Sequence, residues 1–479
     1  MYCGDETGAF IGDVASHCSR FGYGGEDNPK MVVSSFVGGS PTKPYVASSC
    51  YNVHDELRPI YRMAQEATDG PNVDPIHYLQ QGDIVQDWDA YEHMWKASFG
   101  ALRVSDRYKH TTGATDSQNN AKEGNETSTS EVVRSSQTPV EAIAHPLLAV
   151  TPGMTHVMGT AYDKAVKRDQ VGRHTEIMME SLAAQAMFLA PSPMLVAFAH
   201  GRQTCTVVDI GAGGTRVTPV IDGHLLHHAQ RRSGRGGDWL GNVTWKAMLE
   251  ENIQLKPRYL LRSKSTSMNR AFHNWAMRDL QYEFRTTCDQ VTLASYRTDA
   301  YTTPFLYAEN EMDESQTGSG PAYVLPDGTT VDLGTRIGKD LWRLPELFFT
   351  EDVPMVEEET SLLEQHQTLS NAPVHKLVHA SLTAVGDVDA RKELVGNLVL
   401  TGSSSLFPHF EQRLSYELGG IVTGNYKSRI IASRNSVERS CSAWIGASIL
   451  TSLGSFQQLW LSKTEYEEYG ATLATQRFP

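Results

Sequence analysis

Cys205-Thr-Val-Val-Asp-Ile-Gly-Ala-Gly-Gly-Thr-Arg-Val-Thr-Pro-Val-Ile-Asp-Gly223 decides the fold. A β-branched run, Thr206 to Ile210, precedes the glycines, and alternation resumes from Thr215 to Ile221. Two strand-like runs around a Gly-rich corner predict a hairpin. Asp209 closes the first strand, so its carboxylate is expected to point into the turn. Gly211, Gly213 and Gly214 lack Cβ atoms, and their amides can approach an anion closely. Bare amides beside one carboxylate can cradle a phosphate and hold the water shell of its metal. An ordinary hairpin with a permissive turn is the bland alternative.

The chain repeats the pattern. Gly12-Asp-Val-Ala-Ser-His-Cys-Ser-Arg-Phe-Gly-Tyr-Gly-Gly25 again sets an aspartate, Asp13, before a short turn and a second strand-like stretch. Asn397-Leu-Val-Leu-Thr-Gly-Ser-Ser-Ser-Leu-Phe-Pro408 is an apolar strand running into a Gly/Ser loop. Two Asp-led hairpins far apart, plus that loop, predict a duplicated domain clamping one nucleotide from both sides.

Composition sets the outer limits. At 479 residues the chain can bury two sizeable cores, and 40% hydrophobic with 20% charged residues is ordinary for a folded soluble protein. A formal charge of −14 speaks against a broad nucleic-acid face, so direct DNA contact is expected to be weak. Six scattered cysteines without a CxxC pair read as reduced thiols in a cytosolic or nuclear protein. The longest apolar stretch, 178–199, is interrupted by Glu180, Gln185, Pro191 and Pro193, so no membrane span is expected. His224, His227 and His228 cluster, but without the carboxylate or cysteine spacing of a metal site.

In chain order, the first 34 residues read as β-rich, and Val37 to about Tyr78 as loop-like. Asp87 is the expected N-cap of a helix whose Tyr91, Met94, Trp95 and Phe99 make a core stripe. About 111–138 is a solvated insertion poor in apolar residues. A strand at Leu147–Thr151, an amphipathic helix from Arg173 to about Met187 and a buried strand over 187–190 follow. A helix near 271–287, a hairpin turning at Asp327-Gly328, helices over 380–394 and 409–418, and a C-terminal helix with Ile445, Ile449 and Leu453 on one face complete the α/β rhythm.

Taken in order, Asp13–Gly25, Gly82–Phe99, His145-Pro-Leu-Leu148, Val208-Asp-Ile-Gly211, Leu325-Pro-Asp-Gly328, Leu400-Thr-Gly402 and Trp444–Gly470 resemble the actin superfamily over most of the chain. Trp444-Ile-Gly-Ala-Ser-Ile-Leu-Thr-Ser-Leu-Gly-Ser-Phe-Gln-Gln-Leu-Trp-Leu-Ser-Lys-Thr-Glu-Tyr-Glu-Glu468 is the most specific piece. Leu189-Ala-Pro191, Gly201-Arg202, Pro219–Gly223 and Val437-Glu-Arg439 favour the nuclear actin-related branch of the fourth type. The resemblance implies an actin-like fold of duplicated ribonuclease H-like domains around a central nucleotide cleft. It places residues 1–34, 79–199 and 442–479 in subdomain 1, 35–78 in subdomain 2, 200–234 and 357–441 in subdomain 3, and 235–356 in subdomain 4.

It further implies ATP with a divalent cation, in a structural role or absent. Asp13, Ser16 and Arg20 match the first phosphate loop; Asp209, Gly211 and Gly213 match the second; Gly402 matches the third and Asp238 a cleft carboxylate. Asp13 and Asp209 would hold Mg or Ca only through water. The departures imply that hydrolysis is lost. Ala212 replaces an acidic residue beside the hydrated metal; Ser192 stands for the glutamine that positions water, and Arg216 for an assisting histidine. Water positioning carries much of phosphoryl-transfer catalysis. The alignment also sets Phe284 and Arg285 at the Lys-Glu pair near base and ribose, Ser440 at a purine-side lysine, and Ser403 at a phosphate-loop glycine.

As partners the resemblance implies actin, a helicase-SANT-associated-type helix of a chromatin ATPase or scaffold, other nuclear actin-related proteins and histones, in the nucleus. An active ATPase or phosphotransferase of the wider superfamily, and a filament protein, remain the alternatives. Residues 37–78 do not resemble the loop that engages the next subunit of a filament, and head-to-tail growth needs such a repeating contact.

Overall fold

The computed structural model describes residues 8–40, 43–46, 76–112, 145–153, 161–262, 270–291, 322–332, 344–351, 371–422 and 427–478, apart from 79, 82, 83, 86, 251 and 290. The insertion expected over about 111–138 falls almost wholly outside them.

Two mixed sheets share one plan. In the first, strand β1 (Phe10–Val14) pairs antiparallel with β2 (Cys18–Tyr23), which pairs with β3 (Met31–Ser34). On its other side β1 runs parallel to β4 (Leu147–Thr151), and β4 parallel to β5 (Ala186–Pro191). In the second, β6 (Cys205–Ile210) pairs antiparallel with β7 (Thr215–Ile221), which pairs with β8 (Arg231–Ser233). Here β6 runs parallel to β9 (Leu398–Thr401), and β9 parallel to β10 (Ile430–Ile431). The duplication therefore holds strand for strand, down to the register: Asp13 faces Arg20 across the first hairpin, and Asp209 faces Arg216 across the second.

The central strands are buried on both sides, as parallel strands covered by helices must be. Phe10, Trp95, Leu147 and Met187 anchor one core of the first lobe, where Phe10 and Phe21 meet Trp95 edge-on. The helix α1 (Trp88–Thr112) supplies the expected stripe, and Asp87 caps it by accepting from the Ala90 amide at 2.9 Å. Val208, Ile210, Leu400, Leu414 and Phe410 build the second lobe's core. The lobes join where α2 (Ser192–Ala199) crosses α3 (Ser436–Thr451). Gly446 permits that crossing, since a Cβ there would lie 1.9 Å from the Leu195 carbonyl oxygen.

Four expectations need correction. Residues 37–78 are not all loop: Phe36–Ser40 pairs antiparallel with Lys43–Val46 and with Ile76–Tyr78. The helix expected from Arg173 to Met187 lies earlier, over Ala161–Glu176, and widens into a π-turn at Ile177–Ser181 before β5 begins. An apolar run covering turn and strand alike gave periodicity no place to divide them. The helix over 380–394 is two, Val374–Thr383 and Val388–Gly396; Asp387 caps the second by accepting from the amides of Asp389 and Ala390. Along α3, the buried face is Trp444, Ala447 and Leu450, whereas Ile449 and, just past the helix, Leu453 are exposed.

Candidate functional site

The two Asp-led corners face one another across the crevice between the lobes. Arg20 donates to Asp13 at 3.1 Å and Arg216 donates to Asp209 at 3.3 Å, so each aspartate is paired with an arginine seven residues on. The field of Arg216 reaches Asp13, which sets the two corners side by side. Burial raises the Asp13 pKa, and Arg20 offsets part of that rise.

The second corner is locked from behind. Gly237 donates its amide to the Gly211 carbonyl at 2.9 Å, and Asp238 donates its amide to Ala212 O at 2.9 Å. These bonds seat the N-terminus of α4 (Gly237–Glu250) on the turn. The third loop closes the corner's floor. Gly402 has φ +93°, and a Cβ there would stand 2.4 Å from Ile210 O and 2.6 Å from Asp209 Oδ1. Ser404, on the short helical turn after it, reaches the Gly211 carbonyl at 3.5 Å. By contrast a Cβ on Gly211 would meet only Gly214 O at 3.7 Å and Asp209 Oδ1 at 3.9 Å, ordinary contacts, so packing alone does not demand glycine there.

From the far side, helix α5 (Arg270–Cys288) presents Arg278 and Tyr282 to the crevice. Arg278 pairs with Asp238, its Nε donating at 3.1 Å, and its guanidinium lies 4.8 Å from the Phe36 ring centre. Tyr282 stacks on His17 with ring centres 4.6 Å apart. This corrects the register given to the polar helix. Phe284 is fully buried against Tyr323, and the buried Arg285 donates to the Gly237 carbonyl beneath the corner. Both are packed inside the lobe.

Thus Ser16, Gly211, Gly213 and Gly402 fall on three adjoining turns, Asp13, Arg20 and Asp209 on the strand ends beside them, and Asp238 at the neighbouring helix start. Sequence reasoning missed His17, Arg278 and Tyr282. The signal for Arg216 was the repeated seven-residue spacing from aspartate to arginine.

The side chains do not fit a metal–triphosphate complex. Asp13, Asp209 and Asp238 each carry an arginine partner, so the crevice holds neutralised ion pairs in place of a net negative cradle for a hydrated cation. Position 212 adds no carboxylate. Among the described residues no group of three or more His, Cys, Asp or Glu side chains could hold a metal ion.

Two six-stranded sheets sharing a five-strand plan, with three turns brought together between them, define the actin fold. The family model for actin matches residues 4–479, and the chain belongs to that family. It is similar to a protein named Actin-related protein 4 from Arabidopsis thaliana, 28% identical with both chains fully covered. A protein of the same name from Oryza sativa subsp. japonica is 28% identical, again over the whole of both chains. A third, from Neurospora crassa, is 29% identical over all of this chain and 96% of that one.

Proposed function

We propose that the chain is a non-catalytic assembly subunit of nuclear chromatin-remodelling and histone-acetyltransferase complexes. It pairs with actin on a long helix, of the helicase-SANT-associated type, from the main ATPase or scaffold subunit. Other nuclear actin-related proteins and histones belong to the same partner set. The observation that carries the non-catalytic half is the commitment of the cleft carboxylates to arginines, with Ala212, Ser192 and Arg216 at the positions that would order metal and water. A side chain that orders attacking water has no substitute in a serine hydroxyl held at the start of α2, and water ordering is a large share of the rate.

The assembly half draws on the relatives' shared name and on apolar side chains left exposed along α2, α3 and the short helical turn that follows α3. Phe198, Ile449, Leu453 and Leu459 are each more than a third exposed, on or just beyond these two helices. An amphipathic helix buries such residues at i, i+3, i+4 spacing. Acidity disfavours strong direct DNA contact, and among the described residues no helix is long and apolar enough to cross a membrane.

Native mass spectrometry of the purified chain mixed with actin and a candidate helix tests the assembly. One copy of each in a single complex, weakened by Leu453→Asp with Leu459→Asp, is the expected result. A chain that stays alone, or a complex indifferent to both substitutions, contradicts it.

A further inference from the structure

The internal repeat supplies its own control for what stands in the crevice. Counting four residues from each aspartate reaches Gly213 in the second corner and His17 in the first. Equal turn lengths make the two positions equivalent, so one corner carries no side chain where the other carries an imidazole. That imidazole lies nearly flat on the phenol of Tyr282, with planes 18° apart. His17 belongs to the first sheet's hairpin and Tyr282 to α5, which packs on α4 of the other lobe. The stack therefore spans the crevice.

A second contact runs beside it. Arg278, one helical turn before Tyr282, covers the ring of Phe36 while holding Asp238. Phe36 follows β3 in the first lobe and is buried. Burial, then the nearby Arg278 guanidinium, push the His17 pKa down to about 4; Asp238 opposes this, and Arg285 and Arg20 reinforce it. The ring is therefore neutral at physiological pH. A neutral imidazole lies on a phenol face among three guanidiniums without the repulsion an imidazolium would meet.

We propose that His17 and Tyr282 form a latch across the crevice, holding the lobes together and standing where a nucleoside triphosphate would pass between the first corner and α5. The latch takes over the linking role that a bound nucleotide would otherwise fill. It rests on reading the crevice as the actin-type nucleotide cleft, and it is independent of whether the protein joins an assembly.

The test is binding of a fluorescent ATP analogue with magnesium to the full chain, followed by anisotropy. His17→Gly restores the second corner's residue type to the first and is expected to tighten binding by about three- to tenfold, the order of bias an aromatic pair of this kind exerts on a closed state. Tyr282→Ala is expected to shift affinity in the same direction. Equal affinities, within about twofold, for wild type and His17→Gly overturn the latch. A folding-independent readout accompanies it: in the wild-type protein the His17 ring proton resonance carries a ring-current shift that Tyr282→Phe keeps and Tyr282→Ala removes. A resonance unmoved by Tyr282→Ala overturns the stack itself. Should His17→Gly tighten nucleotide binding while co-assembly with actin and the helix fails, the assembly reading falls and the latch stands.

Discussion

Replacing Gly402 by alanine strains the second corner at its floor. The φ of +93° lies where an L-residue pays roughly 1–2 kcal/mol. The added methyl would also sit 2.4 Å from Ile210 O and 2.6 Å from Asp209 Oδ1, separations real Cβ atoms do not show. One of those neighbours is backbone in a central strand, so relief requires moving β6 against β9. Overpacking of that sort costs about 1–3 kcal/mol. The sum, about 2–5 kcal/mol, lowers the melting temperature by roughly 5–15 °C for a lobe of this size. Gly419→Ala is the matched control. Gly419 is an exposed position of the helix Phe410–Ile421, and a Cβ there meets nothing within 4 Å. Alanine should be neutral or stabilise by up to about 1 kcal/mol, because glycine is the poorer helix former. Scanning calorimetry of both variants decides the matter. A Gly402→Ala protein melting within about 2 °C of wild type would refute the claim that the third loop closes against the Asp209 corner.

Three further outcomes follow from the same geometry. Arg413 and Glu346 are both nearly inaccessible and bonded at 2.6 Å, and Arg413 also donates to Glu417 at 2.8 Å, so Glu346→Ala, which removes one of two carboxylate partners of a buried guanidinium, should cost about 1–3 kcal/mol in denaturant unfolding. His174, like His17, has its pKa pushed down to about 4, first by burial, and its Nδ1–H donates to the Gln170 carbonyl at 2.7 Å. The unfolded chain then binds more protons between about pH 6.5 and 4, so stability is full above 6.5 and falls through that window, by about 1–3 kcal/mol for a buried ring; a melting temperature flat from pH 7 to 4.5 would contradict it. Asp13→Ala and Asp209→Ala each remove the carboxylate partner of a part-buried arginine and should lower stability by about 1–2 kcal/mol without lowering any measured turnover.

Much of this was legible because backbone chemistry repeats. Two aspartates before short turns, each between strand-like stretches, specified paired hairpins, and Asp87 with Tyr91, Met94 and Trp95 specified the first helix. What stayed hidden depends on tertiary partners. The strands over 36–46 and 76–78 pair across a long connection that local signals do not reveal. In the polar helix Arg270–Cys288 two faces three residues apart both carry polar or aromatic groups, so sequence placed Phe284 and Arg285 at the crevice where packing places Arg278 and Tyr282. The Ile445–Ile449–Leu453 spacing was a true helical stripe, but burial chose the Trp444–Ala447–Leu450 face and left Ile449 outside. His17 reads as an unremarkable turn residue until its ring is seen on Tyr282.

The central claim, that both corners persist while the crevice no longer orders water for attack, is tested most directly by phosphate release from ATP with magnesium, using the purified chain and its Asp209→Ala variant side by side. The account predicts release from both at the same background level. Turnover comparable to that of ordinary actin, abolished by Asp209→Ala, would contradict it.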